Sequence, residues 1–234
     1  MIDSHGTGPA EGGRAVRLAA LGGVIAPIVF AALVIVAGLA YDGYSHVGQK
    51  ISELGGEGAD FAVLQNLNFA LLGVLLLGFS WALARVLGPS DLGPALIGYF
   101  GLVAVAHAWI PCDVGCKGET AIGLLHNVTG LSGFVAAILG MFMLARRWRE
   151  DTIWHPHAGF TRGAVAVALG GLVWFVITQA ADIQSLAGIA QRIFAGALLV
   201  WIAVSAWRLR RSLDIDSSPG GVPAAVATAR WEAK

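Results

Sequence analysis

Charged residues are scarce in this sequence. Asp, Glu, Lys and Arg make up 13% of its 234 residues, whereas they make up about 25% of a typical soluble domain. Hydrophobic residues make up 56%, and the mean hydropathy is +0.72. A water-soluble protein must cover its surface with polar groups, so this composition excludes an ordinary soluble domain and predicts a membrane protein.

An excess of charge of either sign is also missing. The chain has 15 Lys and Arg against 15 Asp and Glu, whereas a nucleic-acid-binding protein needs a basic face. We therefore predict no nucleic-acid partner. The two cysteines are too few for a zinc site of paired CxxC motifs, and no Gly-rich phosphate loop, GxSxG or HExxH motif occurs. We predict no metal and no cofactor.

Six long apolar runs divide the chain. A transmembrane helix needs about 20 mostly apolar residues to cross the hydrocarbon core. We predict an all-α, polytopic bundle of six transmembrane helices, at Leu18–Ala40, Phe61–Val86, Leu92–Ile110, Ala121–Ala145, Gly163–Ala181 and Leu186–Trp207. Flanking this membrane domain (18–210), we predict a cytoplasmic N-terminal tail (1–17) and a disordered cytoplasmic tail (211–234) rich in Pro, Gly and Ala.

The positions of Lys and Arg predict the orientation of the bundle, because cytoplasmic loops are enriched in both. With an inward N-terminus, only three of the 15 fall outside, namely Lys50, Lys117 and Arg192. We therefore predict that both termini are cytoplasmic. The predicted location is the plasma membrane, which the chain crosses several times.

Polar side chains collect at the outer end of this predicted bundle. Polar residues at membrane depth are costly and normally face the bundle interior or a water-filled cavity. We therefore predict a polar pocket that opens to the outer leaflet. The candidate catalytic residues are His126, Asp113 and Glu53, and the candidate ligand-binding residues are Arg192, Asn66, Ser52, Asp182 and His107.

A purely structural interpretation of these residues stays open, because polar side chains in membrane helices often only hydrogen-bond neighbouring helices. Arg192 is expected to pair with a carboxylate, since an unpaired guanidinium at this depth is costly. Asp113, Asp182 and Glu53 are the available partners. If a single pocket exists, His126, Asp113, Glu53 and Arg192 should converge in one outward-facing cavity.

The two cysteines, Cys112 and Cys116, lie four positions apart in the second predicted outer loop. The outer side of the membrane is oxidising, and this spacing is compatible with a disulfide if the Cβ geometry suits one. We predict that Cys112 and Cys116 are paired.

Several short motifs, taken in order, resemble one family. They are Ile51-Ser52-Glu53-Leu54-Gly55, then Asn66, Phe69 and Gly73, then Pro111 and Asp113, then His126, and finally Gly188-x-x-Gln191-Arg192-Ile193. Over about residues 18–210 the chain resembles the prokaryotic six-helix membrane family catalogued as domain of unknown function 998. That family is distantly similar to eukaryotic six-helix proteins of autophagy modulation and GPI-lipid remodelling.

The resemblance implies a six-helix fold and a lipid-facing role, but no reaction, because the family has no assigned one. The motif positions that it would carry over are Ser52, Glu53, Asn66, Asp113, His126 and Arg192.

Three classes of function remain open. The first is a protein that binds or modifies a membrane lipid, and the second is a structural or assembly protein without a catalytic site. A membrane prenyl cyclase with a carboxylic acid as proton donor is a lesser variant of the first. A transporter, the third class, is disfavoured because the inner halves of the spans are almost wholly apolar. Whether the protein is an enzyme is left open.

Overall fold

The computed structural model describes residues 9–88 and 92–216, with side chains from residue 13 to residue 213. Within these ranges the chain forms six α-helices and no β-strand. The helices are α1 (Pro9–Ala40), α2 (Ala62–Leu87), α3 (Leu92–His107), α4 (Ala121–Trp148), α5 (His155–Ala180) and α6 (Ala187–Asp216). Short 3₁₀ helices lie in the loops at Ile51–Gly55, Val114–Cys116 and Gln184–Leu186.

Five of the six helices are long and apolar enough to span a membrane, and α3 is the exception. Its 16 residues extend about 24 Å at 1.5 Å per residue, less than the roughly 30 Å of a hydrocarbon core. The prediction of an all-helical, six-helix membrane protein is confirmed. Below, the outer and inner ends of the bundle are named from the predicted orientation.

The helix ends differ from the apolar runs where polar residues continue or stop a helix. Helix α3 ends at His107 instead of Ile110, because a residue before proline avoids the α conformation and Pro111 follows. Helix α5 begins eight residues earlier than predicted, at His155, with Pro156 in its first turn, a position that proline favours. Hydropathy therefore places the helix ends several residues away from their observed positions.

Helices also extend into both of the predicted tails. Helix α1 already includes residues from Pro9, and α6 continues to Asp216. Most of the tail 211–234, which was predicted to be disordered, lies outside the described residues.

The six helices form a closed ring in chain order. Each helix packs against the next one, and α6 returns to pack against α1. Glycines allow the closest approaches, as expected where lipid provides no hydrophobic driving force. A Cβ on Gly73 of α2 would overlap the carbonyl oxygen of Gly101 of α3. On α4, a Cβ at Gly133 would lie 3.0 Å from Val103.

The inner half of the ring is less apolar than the sequence analysis assumed. The ring Nε2 of His157 lies 2.9 Å from Ser205 Oγ, and both side chains are buried. The Trp201 indole donates to Thr161 Oγ1 at 3.0 Å. These bonds join α5 to α6, which is the interhelical role common for polar residues in membrane bundles.

Candidate functional site

A cavity of about 360 Å³ lies inside the outer half of the ring, within the usual range of about 300–1,000 Å³ for ligand sites. Each of the six helices contributes one phenylalanine to its wall: Phe30, Phe69, Phe100, Phe134, Phe175 and Phe194. Several of these rings are in contact, and the centroid of Phe194 lies 4.7 Å from that of Phe134 and 5.5 Å from that of Phe175. The lower part of the cavity is therefore wholly apolar.

The outer end of the cavity is polar. Its polar lining residues are Lys50, Ser52, His107, Lys117, His126, Asn127, Gln179 and Gln191. On α4 the lining extends from His126 to Phe134, and on α6 from Gln191 to Leu199, so the cavity is about 12 Å deep at 1.5 Å per residue. Among the described residues, no Asp or Glu lines it. The cavity is therefore polar at its outer end and apolar below it, which matches the shape of an amphiphilic molecule.

Two lysines of the described residues line this end: Lys117 is largely exposed, whereas Lys50 is buried. Its side chain is 3% exposed, and its ammonium donates to the carbonyl oxygen of Cys116 at 3.1 Å and to Gln179 Oε1 at 3.2 Å. Burial lowers the pKa of Lys50, although the carboxylates of Glu53 and Asp113 act in the opposite direction. The sequence analysis used Lys50 only as a loop charge that reports orientation, and it missed this residue as a site candidate.

The first outer loop holds Lys50 in place because it is tied to the start of α6. The backbone N–H of Gly188 donates to Gly48 O at 3.0 Å, and that of Ile189 donates to Val47 O at 2.8 Å. These bonds satisfy amides that the first turn of a helix leaves without partners. The approach requires glycine at 188, because a Cβ there would overlap the carbonyl oxygen of Gln49.

Arg192, one turn after Gly188 on α6, also holds this loop in place, and its hydrogen-bond partners do not include a described carboxylate. Its guanidinium donates to Gln49 O at 2.7 Å, Gly188 O at 3.1 Å, Tyr44 Oη at 2.7 Å and His46 Nδ1 at 3.0 Å. The expectation that Arg192 pairs with Asp113, Asp182 or Glu53 is wrong: in the described part of the chain, no carboxylate oxygen lies within 4.0 Å of it. Two backbone carbonyls, a phenol oxygen and an imidazole nitrogen supply the acceptors instead.

Glu53 and Asp113 do not line the cavity either. Glu53 accepts from the backbone N–H of Lys50 at 2.8 Å and from the Gln49 amide at 3.3 Å. Asp113 accepts from the backbone N–H groups of Gly118 and Thr120, both at 3.0 Å. The Thr120 bond is the main reason that the pKa of Asp113 lies below its usual value. Both carboxylates order the loops in which they lie.

The expected convergence of His126, Asp113, Glu53 and Arg192 in one cavity is therefore wrong. Only His126 of these four lines the cavity. Glu53 and Asp113 find donors within their own loops, and Arg192 finds acceptors in the first loop and on α6. A side chain that is satisfied in this way has no need of the central space.

His126 and His107 form a stacked pair at the polar end, with ring centroids 4.1 Å apart. His126 Nδ1 lies 2.6 Å from Ile110 O, and since a carbonyl only accepts, Nδ1 carries the proton. The hydroxyl of Thr129 donates to Leu125 O at 2.7 Å, so it accepts from His107 Nε2, which lies 3.1 Å away. The second ring nitrogen of each histidine has no partner among the described residues.

The remaining candidates lie at or near the outer surface. Ser52 lines the cavity, with Oγ 3.4 Å from Cys116 Sγ. Asn66 is half-buried outside the cavity and packs its amide oxygen against Gly55. Asp182 is exposed and accepts from Gln184 Nε2 at 3.0 Å. The cavity therefore includes Ser52, His107 and His126 and excludes Asn66 and Asp182.

Cys112 and Cys116 form a disulfide, with their Cα atoms 4.9 Å apart, within the usual range of such pairs. The Cys116 carbonyl accepts from Asn127 Nδ2 at 3.2 Å as well as from Lys50. In the described ranges, no three His, Cys, Asp or Glu side chains form a group that could hold a metal ion.

The chain belongs to the family described as protein of unknown function (DUF998), whose family model matches residues 24–208. The matched range includes all of the cavity residues and both outer loops that cover them. No curated protein and no solved structure matches the chain.

Proposed function

We propose that this protein binds an amphipathic membrane lipid in the cavity enclosed by its six helices. The observation that carries the proposal is the polarity of the cavity, with one phenylalanine from every helix in its wall and eight polar side chains at its outer end. The apolar chain of the lipid would lie among the phenylalanines, and its head group would face the outer leaflet of the plasma membrane.

A role in lipid modification is a narrower form of the same proposal. His126 and His107 each supply, at the polar end, one imidazole nitrogen without a partner among the described residues, and histidine is the most common general acid or base. A prenyl cyclase that uses a carboxylic acid as proton donor has no support, because no Asp or Glu of the described residues lines the cavity.

A purely structural role is the second candidate. The observation in its favour is that Arg192, Asp113 and Glu53 are satisfied by loop groups, as a scaffold requires. A scaffold would have no need of a deep cavity with one polar end, and this difference makes the two proposals separable by experiment.

The test uses native mass spectrometry of the gently purified protein and of variants with a partly filled cavity. Ala195 and Ala104 line the cavity and are buried, so Ala195→Leu and Ala104→Leu each add side-chain volume inside it. Ala166→Leu makes the same change on the exposed face of α5 and is the matched control. Thermal unfolding of each variant checks that it folds.

We expect a lipid mass on the wild-type protein and on the control. The filled variants should show an occupancy lower by about tenfold, equivalent to about 1.4 kcal/mol. Wild-type protein that carries no lipid and binds none that is added would contradict the proposal and favour the scaffold.

A further inference from the structure

We infer that the polar end of the cavity recognises an anionic head group, a carboxylate or a phosphate, carried on a single apolar chain, and that the Lys50 ammonium selects it. This inference rests on the proposed function and specifies the class of lipid.

The first argument is that the charge of Lys50 is not cancelled by the protein. An ammonium has three N–H donors, and two of them are directed at neutral acceptors, Cys116 O at 3.1 Å and Gln179 Oε1 at 3.2 Å. Among the described residues, no carboxylate oxygen lies within 4.0 Å of Lys50 Nζ. The third donor is left for a ligand, and the positive charge is offset only from a distance, by the carboxylates of Glu53 and Asp113.

The second argument is that the nearest acids are engaged elsewhere. Glu53 accepts from the backbone N–H of Lys50, at 2.8 Å, and not from its ammonium. Asp113 accepts from two backbone N–H groups of its own loop. A buried charge without a counter-ion is costly, so an anion bound beside Lys50 would remove an energetic cost that the protein otherwise carries.

The third argument is the hydrogen-bonding capacity around Lys50. Gln191 Oε1 accepts from the backbone N–H of Ile51, which leaves the amide N–H₂ of Gln191 to donate. Ser52 adds a hydroxyl at the cavity wall. With Lys50 these groups supply donors to both oxygens of a carboxylate, or to two oxygens of a phosphate.

The fourth argument concerns the apolar part. The cavity volume of about 360 Å³ lies near the lower end of the range for ligand sites. Phenylalanines from all six helices surround the space below the polar end. This shape suits one apolar chain and leaves no room for a second.

The test compares four probes with the same sixteen-carbon chain length: palmitate, palmitoyl lysophosphatidate, hexadecanol and hexadecyltrimethylammonium. Their affinities are measured by competition with radiolabelled palmitate and, independently, by direct titration of the purified protein. We expect one or both anions to bind at least about tenfold tighter than hexadecanol, and the cation to bind weakest. The better anion identifies the head group as a carboxylate or a phosphate.

The variants Lys50→Gln and Lys50→Arg test the assignment to this side chain. Lys50→Gln should reduce the affinity for the anion to that for hexadecanol, while Lys50→Arg should keep the preference for an anion. Arg149→Gln is the control, because it removes a positive charge from an exposed position at the inner end. It should leave the affinity for the anion and the affinity for hexadecanol unchanged.

Equal binding of palmitate, lysophosphatidate and hexadecanol by the wild-type protein would overturn the inference and leave the proposed function standing. So would an unchanged preference in a folded Lys50→Gln variant. Binding of none of the four probes would overturn both. The head-group preference of the wild type requires no variant, so a folding defect in Lys50→Gln leaves the inference testable.

Discussion

The carbonyl oxygen of Cys116 accepts a hydrogen bond from the ammonium of Lys50, which lies 66 positions earlier in the chain. Cys116 has a φ of +49°, and Gly115 before it has a φ of +70°. Left-handed backbone is uncommon for a residue with a side chain, so this turn needs support to hold the carbonyl in position. The bond between Cys112 and Cys116 closes the turn. The second outer loop thereby positions the cation of the first.

The first prediction concerns this disulfide. The double variant Cys112→Ser/Cys116→Ser should lose about 2 kcal/mol of stability, the chain-entropy effect expected for so short a loop. It should also bind palmitate more weakly, because the carbonyl that orients Lys50 is no longer held. Thermal unfolding and palmitate titration measure the two effects. Full alkylation of both thiols in native membranes, without a reductant, would show that the pair is not oxidised.

A second prediction concerns pH. Burial, and secondarily the Arg192 guanidinium, hold the pKa of His46 below its ordinary value, and Arg192 donates to its bare Nδ1 at 3.0 Å. The neutral ring therefore stabilises the folded loop above about pH 6.5, the ordinary pKa of histidine. Below that pH the unfolded chain binds a proton that the folded loop resists, so stability falls as the pH falls towards the folded pKa.

The measurement is the thermal unfolding temperature at about pH 7.5 and about pH 5, on either side of the ordinary histidine pKa. His46→Gln should reduce the difference between the two values. His155→Gln, at an exposed position on α5, should preserve it. A His46→Gln variant with the same pH dependence as the wild type would assign the effect to another group.

A third prediction concerns Arg192→Lys. The guanidinium bonds four groups of the first loop and α6, and one ammonium cannot reproduce that planar pattern. We expect a loss of about 2 kcal/mol in the free energy of unfolding. The control Arg211→Lys, which changes an arginine stacked over Trp207, should change stability by less than about 0.5 kcal/mol. Equal losses in the free energy of unfolding for the two variants would show that the Arg192 hydrogen bonds do not stabilise the protein.

A fourth prediction tests the orientation on which the words outer and inner depend. Single cysteines at Glu57 and Thr152, both exposed, are introduced into the double serine variant at positions 112 and 116. A membrane-impermeant maleimide should label Glu57→Cys in intact cells and should label Thr152→Cys only after lysis. The reverse pattern would place Lys50 and the cavity mouth on the cytoplasmic side.

The sequence predicted the helices well and the cavity only in part. Continuous apolar runs identify spans because lipid requires about 20 apolar residues in a row. The six phenylalanines could not be recognised, because an aromatic residue facing a cavity and one facing lipid occur in equally apolar sequence. Only the ring order of the helices brings them together.

For the polar residues, the sequence identified the side chains but not their hydrogen-bond partners. Arg192 was expected to require an acid because it opens a span, yet four neutral acceptors satisfy it. Two of these acceptors are backbone carbonyls, which cannot be read from residue types, and the other two are side chains of a loop distant in sequence. The available signal for Lys50 was its position directly before the Ile51-Ser52-Glu53 motif, on the loop that docks onto Gly188 and Gln191.

The closure of the ring by α6 against α1 has a consequence for biosynthesis. Helix α6, which is synthesised after the other five described helices, supplies Gln191, Arg192 and the two amides that bind the first loop. A nascent chain that ends before α6 therefore cannot hold Lys50 in its buried position, however well its earlier helices are inserted. The polar end of the cavity is therefore completed only after α6 has been synthesised and has packed against the first outer loop.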